Sequence, residues 1–252
     1  MPIDFARRLT GPDRSRRANR QLGWALAFIA GATNAGAFLA VKQYTSHMTG
    51  MVSSMADFLV LGDRQAAAAA FSALLSFLLG AATATMLISY GMRRQLKSLF
   101  ALPLLLEAVL LLVFGLVGAQ LSTFQGFFVP FTVVLLCYTM GLQNAVITKI
   151  SNSEIRTTHV TGLVTDLGIE MGKLVYWNRM HSDVAHRVLA DRERMLVLSL
   201  LIFAFFLGGV IGALGFQHLG YLTTVPLSFI LAVLAIVPLT DDIRYYLART
   251  DA

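Results

Sequence analysis

Tyr44-Thr45-Ser46-His47-Met48-Thr49-Gly50 returns in altered form as Arg156-Thr157-Thr158-His159-Val160-Thr161-Gly162. Each copy follows an apolar stretch with a small-residue, amide-bearing patch. The patches are Gly31-Ala32-Thr33-Asn34-Ala35 and Gly141-Leu142-Gln143-Asn144-Ala145. A polar His-x-Thr-Gly segment between apolar runs is costly wherever water is absent. Two such segments at matching places divide the chain into two related halves.

The hydrophobic fraction is 56% and the charged fraction 13%, with a mean hydropathy of +0.68. A soluble chain carries roughly a quarter charged residues. Several apolar runs reach the ~20 residues that a helix needs to cross a bilayer. The composition therefore predicts a multi-pass α-helical membrane protein whose first partner is the lipid bilayer. The net charge of +6 comes from basic residues between spans, where orientation requires them. No nucleic-acid motif accompanies that charge, so no nucleic-acid partner is expected. The lone Cys137 lies in an apolar run and reads as a small buried hydrophobe.

Residues 1–20 form an Arg-rich tail; the apolar run that follows, Leu22 to about Ala40, is longer than that of a secretory signal and no clear cleavage site follows it, so a cytoplasmic tail before a retained span is expected. Six spans are expected: Leu22–Val41, Ala66–Met92, Leu99–Val117, Phe127–Ile147, Leu196–Gln217 and Thr224–Leu239. Two shorter apolar elements, Met51–Gly62 and Leu163–Gly172, follow the two His-x-Thr-Gly turns. Twelve helical residues rise only about 18 Å, short of the ~30 Å hydrocarbon core. These elements re-enter or lie buried between other helices. The link Lys173–Arg194, with Tyr176, Trp177, His181 and His186, belongs on the membrane surface rather than at a metal.

Four landmarks recur in the same order: amide patch, His-x-Thr-Gly, Phe-x-Leu-Gly or its like, and a Pro-initiated helix. If the short elements do not cross, 18 of the 20 Lys and Arg residues share one side, with only Lys42 and Arg64 opposite. If they do cross, the division is 14 against 6. Basic residues stay cytoplasmic, so the first arrangement is favoured. Three spans per half then invert the second half relative to the first. The expected fold is an all-α membrane protein of six transmembrane helices plus two short re-entrant or buried helices, as two inverted three-span repeats. Its parts are a cytoplasmic basic tail (1–20), repeat 1 (21–120, short helix 50–62), repeat 2 (121–240, short helix 162–172, surface link 173–195) and a cytoplasmic tail (241–252).

The turns carry the candidate site. Thr49 or Thr161 is placed to cap a short helix, and Gly50 or Gly162 to turn the backbone tightly. Free amide groups at those ends carry partial positive charge. Two such ends at membrane depth would suit a polar or anionic small solute. A purely structural role is the competing reading, with His47 or His159 bonded to Asn34 or Asn144. Glu107 lies within an apolar run, and an intramembrane carboxyl is costly and usually functional. It is the first candidate proton carrier, with Asp166 a second. Enzyme motifs are missing, namely GxSxG, HExxH, the P-loop and CxxC, so no catalytic residue, metal or cofactor is expected.

Ser46-His47-Met48-Thr49-Gly50, Gly141-Leu142-Gln143-Asn144-Ala145 and Arg156–Gly162 with Thr165-Asp166-Leu167-Gly168 resemble the YoaK-like family of bacterial inner-membrane proteins. Leu105-Leu106-Glu107 also looks like that family's pattern. The resemblance covers about residues 20–240. It implies a six-span protein of the bacterial plasma membrane and no assigned substrate. Such proteins often carry Asn after each His-x-Thr-Gly, where this chain has Met51 and Leu163. The functional expectation is a small secondary transporter or channel with its site between the repeats and both termini cytoplasmic. The alternative is a non-transporting scaffold or partner subunit, with a membrane enzyme third. A homodimer suits so small a design.

Overall fold

The computed structural model describes residues 16–96, 98–119, 125–150, 160–176 and 188–250; for 16–17, 125–128, 237–238 and 241–250 it describes the helical backbone alone. Among these residues every regular element is a helix, joined by turns and irregular links. The elements are α1 (Arg16–Val41), α2 (Met48–Val60), α3 (Arg64–Arg93), α4 (Ala101–Gly118), α5 (Gln125–Ile150), α6 (Val160–Val175), α7 (Arg192–Leu219), a 3-10 turn (Gly220–Thr223) and α8 (Thr224–Thr250).

Five helical stretches are long and apolar enough to cross a membrane. The fifth covers 45 residues, Arg192–Ile236, and takes in α7 and the first part of α8. One unbroken helix of that length would reach about 68 Å, over twice the ~30 Å hydrocarbon core. Gly220, at φ 60, ends α7 in a conformation that costs a residue with a Cβ. Large apolar side chains stand exposed on the outer faces, Leu78, Leu116, Phe206 and Phe229 among them. Water would penalise such a surface and lipid would not. Length, composition and surface together fit a membrane protein.

The helices overlap the expected apolar runs, but their ends differ. α1 begins at Arg16, inside the basic tail, and α8 continues to Thr250, beyond the expected Leu239. Apolarity marks where hydrocarbon begins, not where a helix stops. Arg, Leu and Ala sustain a helix in water as well. Pro103 falls in the first turn of α4, where a missing N–H costs nothing.

Packing is organised by pairs. α1 lies against α7, α3 against α5, and α4 against α8. Lipid tails are as apolar as the helices, so close backbone approach, not water exclusion, holds such pairs. Glycines permit that approach. A Cβ on Gly31 would strike the Phe205 carbonyl, and one on Gly208 the Phe28 carbonyl. Farther along the same pair, Gly212 meets Ala32, and Gly36 meets Phe216. Rising numbers in α1 meet rising numbers in α7, so the two helices run parallel. In the second pair, Gly80 meets the Tyr138 carbonyl and Gly141 the Phe77 carbonyl. α4 and α8 instead meet end to beginning: Gly115 and Gly118 lie against Thr224 and Tyr221. That pair is antiparallel. Gln143 adds a buried tie from α5 to α1, its Nε2 donating to the Leu26 carbonyl at 3.1 Å.

Candidate functional site

The first turn folds back on the helix it leaves. Asn34 of α1 donates from Nδ2 to Ser46 Oγ at 2.6 Å. Asn34 stands seven residues before the end of α1 at Val41, about 10 Å back along the axis. The chain thus leaves α1, reverses, and starts α2 well inside the bundle. Met51 then packs with Ala73 and Cys137. α2 ends at a hairpin where Gly62, at φ 78, turns the chain into α3. Asp63 caps α3, accepting from the Ala66 N–H at 2.9 Å.

α6 is seated differently. Leu163 and Leu167 pack into the core cluster that holds Leu198 and Leu201 of α7. The Glu170 carboxylate accepts from Lys173 Nζ and from the Asp191 backbone N–H, both at 2.9 Å. Arg194 donates to Asp166 at 3.0 Å and lies 3.9 Å from Glu170. The Lys173 hydrogen bond first, then the Asp191 amide, hold the Glu170 carboxyl below the usual carboxylate range. Glu170 therefore fastens the end of α6 to the start of α7. Val160 lies ten residues earlier, about 15 Å deeper along α6.

The starts of α2 and α6 open on one cavity of about 840 Å³. α1 and α7 form its long walls. Asn34, Ser46, His47 and Thr49 line it from the first half, and Val160 and Thr161 from α6. Phe38, Ile202, Phe205 and Val210 supply apolar wall, and Phe38, Tyr44 and Phe206 stand exposed at its rim. Among the described residues no Lys, Arg, Asp or Glu lines it.

The expected site residues separate into three groups. His47, Thr49, Asn34 and Thr161 share the cavity. Gly50 and Gly162 sit just inside α2 and α6, and Asn144 is buried on α5 without lining the cavity. His159, and with it His181 and His186 of the surface link, lies outside the described residues.

Several expected roles are corrected. Thr49 and Thr161 are not caps, because each lies within the first turn of its helix. The N-cap position of α2 is His47, whose side chain makes no capping hydrogen bond. Gly50 does not turn the chain: it is helical, and a Cβ there would strike the His47 ring. Its function is room for the imidazole. Asn34 bonds to Ser46 and not to a histidine, and its Oδ1 is buried without a partner. Asp166 is tied to Arg194 near the start of α7, away from the cavity.

Glu107 is fully buried, and neither of its carboxyl oxygens has a hydrogen-bond partner. It lies on α4 and does not line the cavity. Ser46, Gln143 and the Phe205–Phe206 wall were missed as working parts. Ser46 stood inside the recurring turn and Gln143 inside the second amide patch, so both had a signal. Phe205 and Phe206 stood inside the second Phe-x-Leu-Gly landmark, which signalled a recurring helix segment but not a cavity wall.

No curated protein and no solved structure matches the chain. A family model does, over residues 22–237, described as a protein of unknown function, DUF1275. That match agrees with the resemblance carried by the His-x-Thr-Gly turns. The chain belongs to the DUF1275 family, whose function is unassigned.

Proposed function

We propose that the protein is a small transporter or channel, not an enzyme, of the bacterial inner membrane. In this reading it consists of two inverted three-span repeats with both termini cytoplasmic, and a solute crosses between the repeats. The observation that carries the reading is the meeting of α2 and α6 at one cavity. α2 leads from there toward the end of α1, and α6 leads toward the start of α7. α1 and α7 run parallel, so the two short helices leave the cavity in opposite directions. Backbone that departs from a long helix at such depth is tolerated only when it is buried in protein or lines a cavity.

Helix directions support inversion. A two-fold axis along the membrane normal would make the third helix of each half parallel to its counterpart. α4 and α8 are antiparallel, as an axis in the membrane plane requires. The matching of α1 with α7 and of α5 with α3 obeys the same operation.

His47, Thr49 and Thr161 contact the solute in this reading, with Asn34 and Ser46 fixing the first turn. Glu107 is the proton-carrying group. Stopped-flow shrinkage of reconstituted liposomes tests the proposal with a panel of neutral, anionic and cationic solutes. At least one solute should cross faster than in protein-free liposomes, and His47→Ala should slow it. Rates equal to protein-free liposomes across the panel would overturn the reading.

A further inference from the structure

We propose that the cavity takes an uncharged, single-chain amphiphile, with a hydroxyl-bearing head at the α2 and α6 starts and an apolar chain along α7. This rests on the cavity being the working site and names its ligand class.

The chemistry of the walls selects the class. Among the described residues no Lys, Arg, Asp or Glu lines the cavity, so an ionic head would lose water without gaining a counter-charge from them. The polar groups gather at one place: Asn34, Ser46, His47, Thr49 and Thr161. All are hydroxyl, amide or imidazole groups, matched to hydroxyls. Asn34 brings an unmet need as well. The residue is only 7% exposed, and its Oδ1 has no hydrogen-bond partner. A ligand hydroxyl supplies the missing donor.

The remaining wall is apolar, and it continues to a lipid-like rim. Phe38, Tyr44 and Phe206 are 39%, 52% and 65% exposed. A chain enters from the bilayer past the exposed Phe38, Tyr44 and Phe206 without crossing water. At about 840 Å³ the cavity falls within the size range of small-molecule sites, which favours one chain over a two-chain lipid. Gly209 lines it, and a Cβ there meets only the Gly31 carbonyl oxygen, at 3.8 Å. A Cβ at 209 is therefore accommodated without breaking the α1–α7 contact, and Gly209→Val adds bulk at the cavity wall.

The test is photolabelling of full-length protein in phosphatidylcholine nanodiscs with a diazirine-bearing monooctanoylglycerol. Label should map to peptides of α1 and α7, and unlabelled monoacylglycerols should compete. Gly209→Val should reduce the label about tenfold while the melting temperature holds. Glycerol, octanoate and octylamine should compete poorly. Equal competition by glycerol, octanoate or octylamine, or unchanged labelling in Gly209→Val, would overturn the proposal. Equal competition by dioctanoylphosphatidylcholine would do so too, because the occupant would then be ordinary bilayer lipid. Labelling as expected without flux would leave this proposal standing and remove the transport reading. Flux of a small polar solute without labelling would do the reverse.

Discussion

Gly31 and Gly208 each press against the carbonyl that stands three residues before the other, Phe205 for Gly31 and Phe28 for Gly208. Gly141 and Gly80 repeat the relationship through Phe77 and Tyr138. Gly31 and Gly141 belong to the two amide patches, and Gly80 and Gly208 to the two Phe-x-Leu-Gly-like landmarks. The landmarks that recur along the chain thus meet one another across it.

These four contacts predict a sharp position dependence. Gly31→Ala or Gly208→Ala should destabilise by about 1–3 kcal/mol, because backbone, not a flexible side chain, receives the new methyl. Gly168→Ala on α6, where nothing lies within 4 Å, should be neutral or stabilise by about 0.5–1 kcal/mol. Thermal melting of the purified variants measures the contrast.

The Asn34–Ser46 bond holds α2 inside the bundle. Asn34→Ala and Ser46→Ala should each cost about 1 kcal/mol, and the double variant should cost less than their sum. A double-mutant cycle on melting reads the coupling. Strict additivity would show that the bond contributes nothing.

Glu170 predicts the acid behaviour of α6. Its folded carboxyl titrates below the unfolded value of about 4.3. Its contribution is therefore complete above that value and is lost as the pH falls through the lower, folded value. Glu170→Gln should flatten the decline of melting temperature over that acidic window, and should lower stability at neutral pH. An unchanged acid profile would remove Glu170 from the attachment of α6.

Glu107 separates stability from function. An unpaired buried polar group destabilises the fold, and an apolar side chain of similar shape relieves that. Glu107→Met should raise the melting temperature and abolish proton-dependent flux. A variant that retains such flux would show that the carboxyl carries no proton.

Much of this was legible in residues. The apolar runs located the long helices, and the recurring turns located the starts of α2 and α6. Helix ends were less legible, as α8 shows, because good helix formers continue past the apolar limit. The role of Gly50 was hidden because it depends on where the His47 ring lies, and ring position follows from packing. The cavity walls were hidden for a similar reason. Phe205 joins Asn34 in one cavity wall only once α7 has packed parallel to α1, across more than 170 residues of chain. Glu170 gave no local sign that it would accept from Asp191, 21 residues away.

Opposite exit of the two short helices is the central claim, and cysteine labelling in intact cells tests it directly. Leu61→Cys and Tyr176→Cys would be placed singly in a Cys137→Ala background, since both positions are exposed beyond the ends of α2 and α6. A membrane-impermeant maleimide should label position 61 in intact cells, and position 176 only after the membrane is opened. Labelling of both positions from the same side would contradict the account.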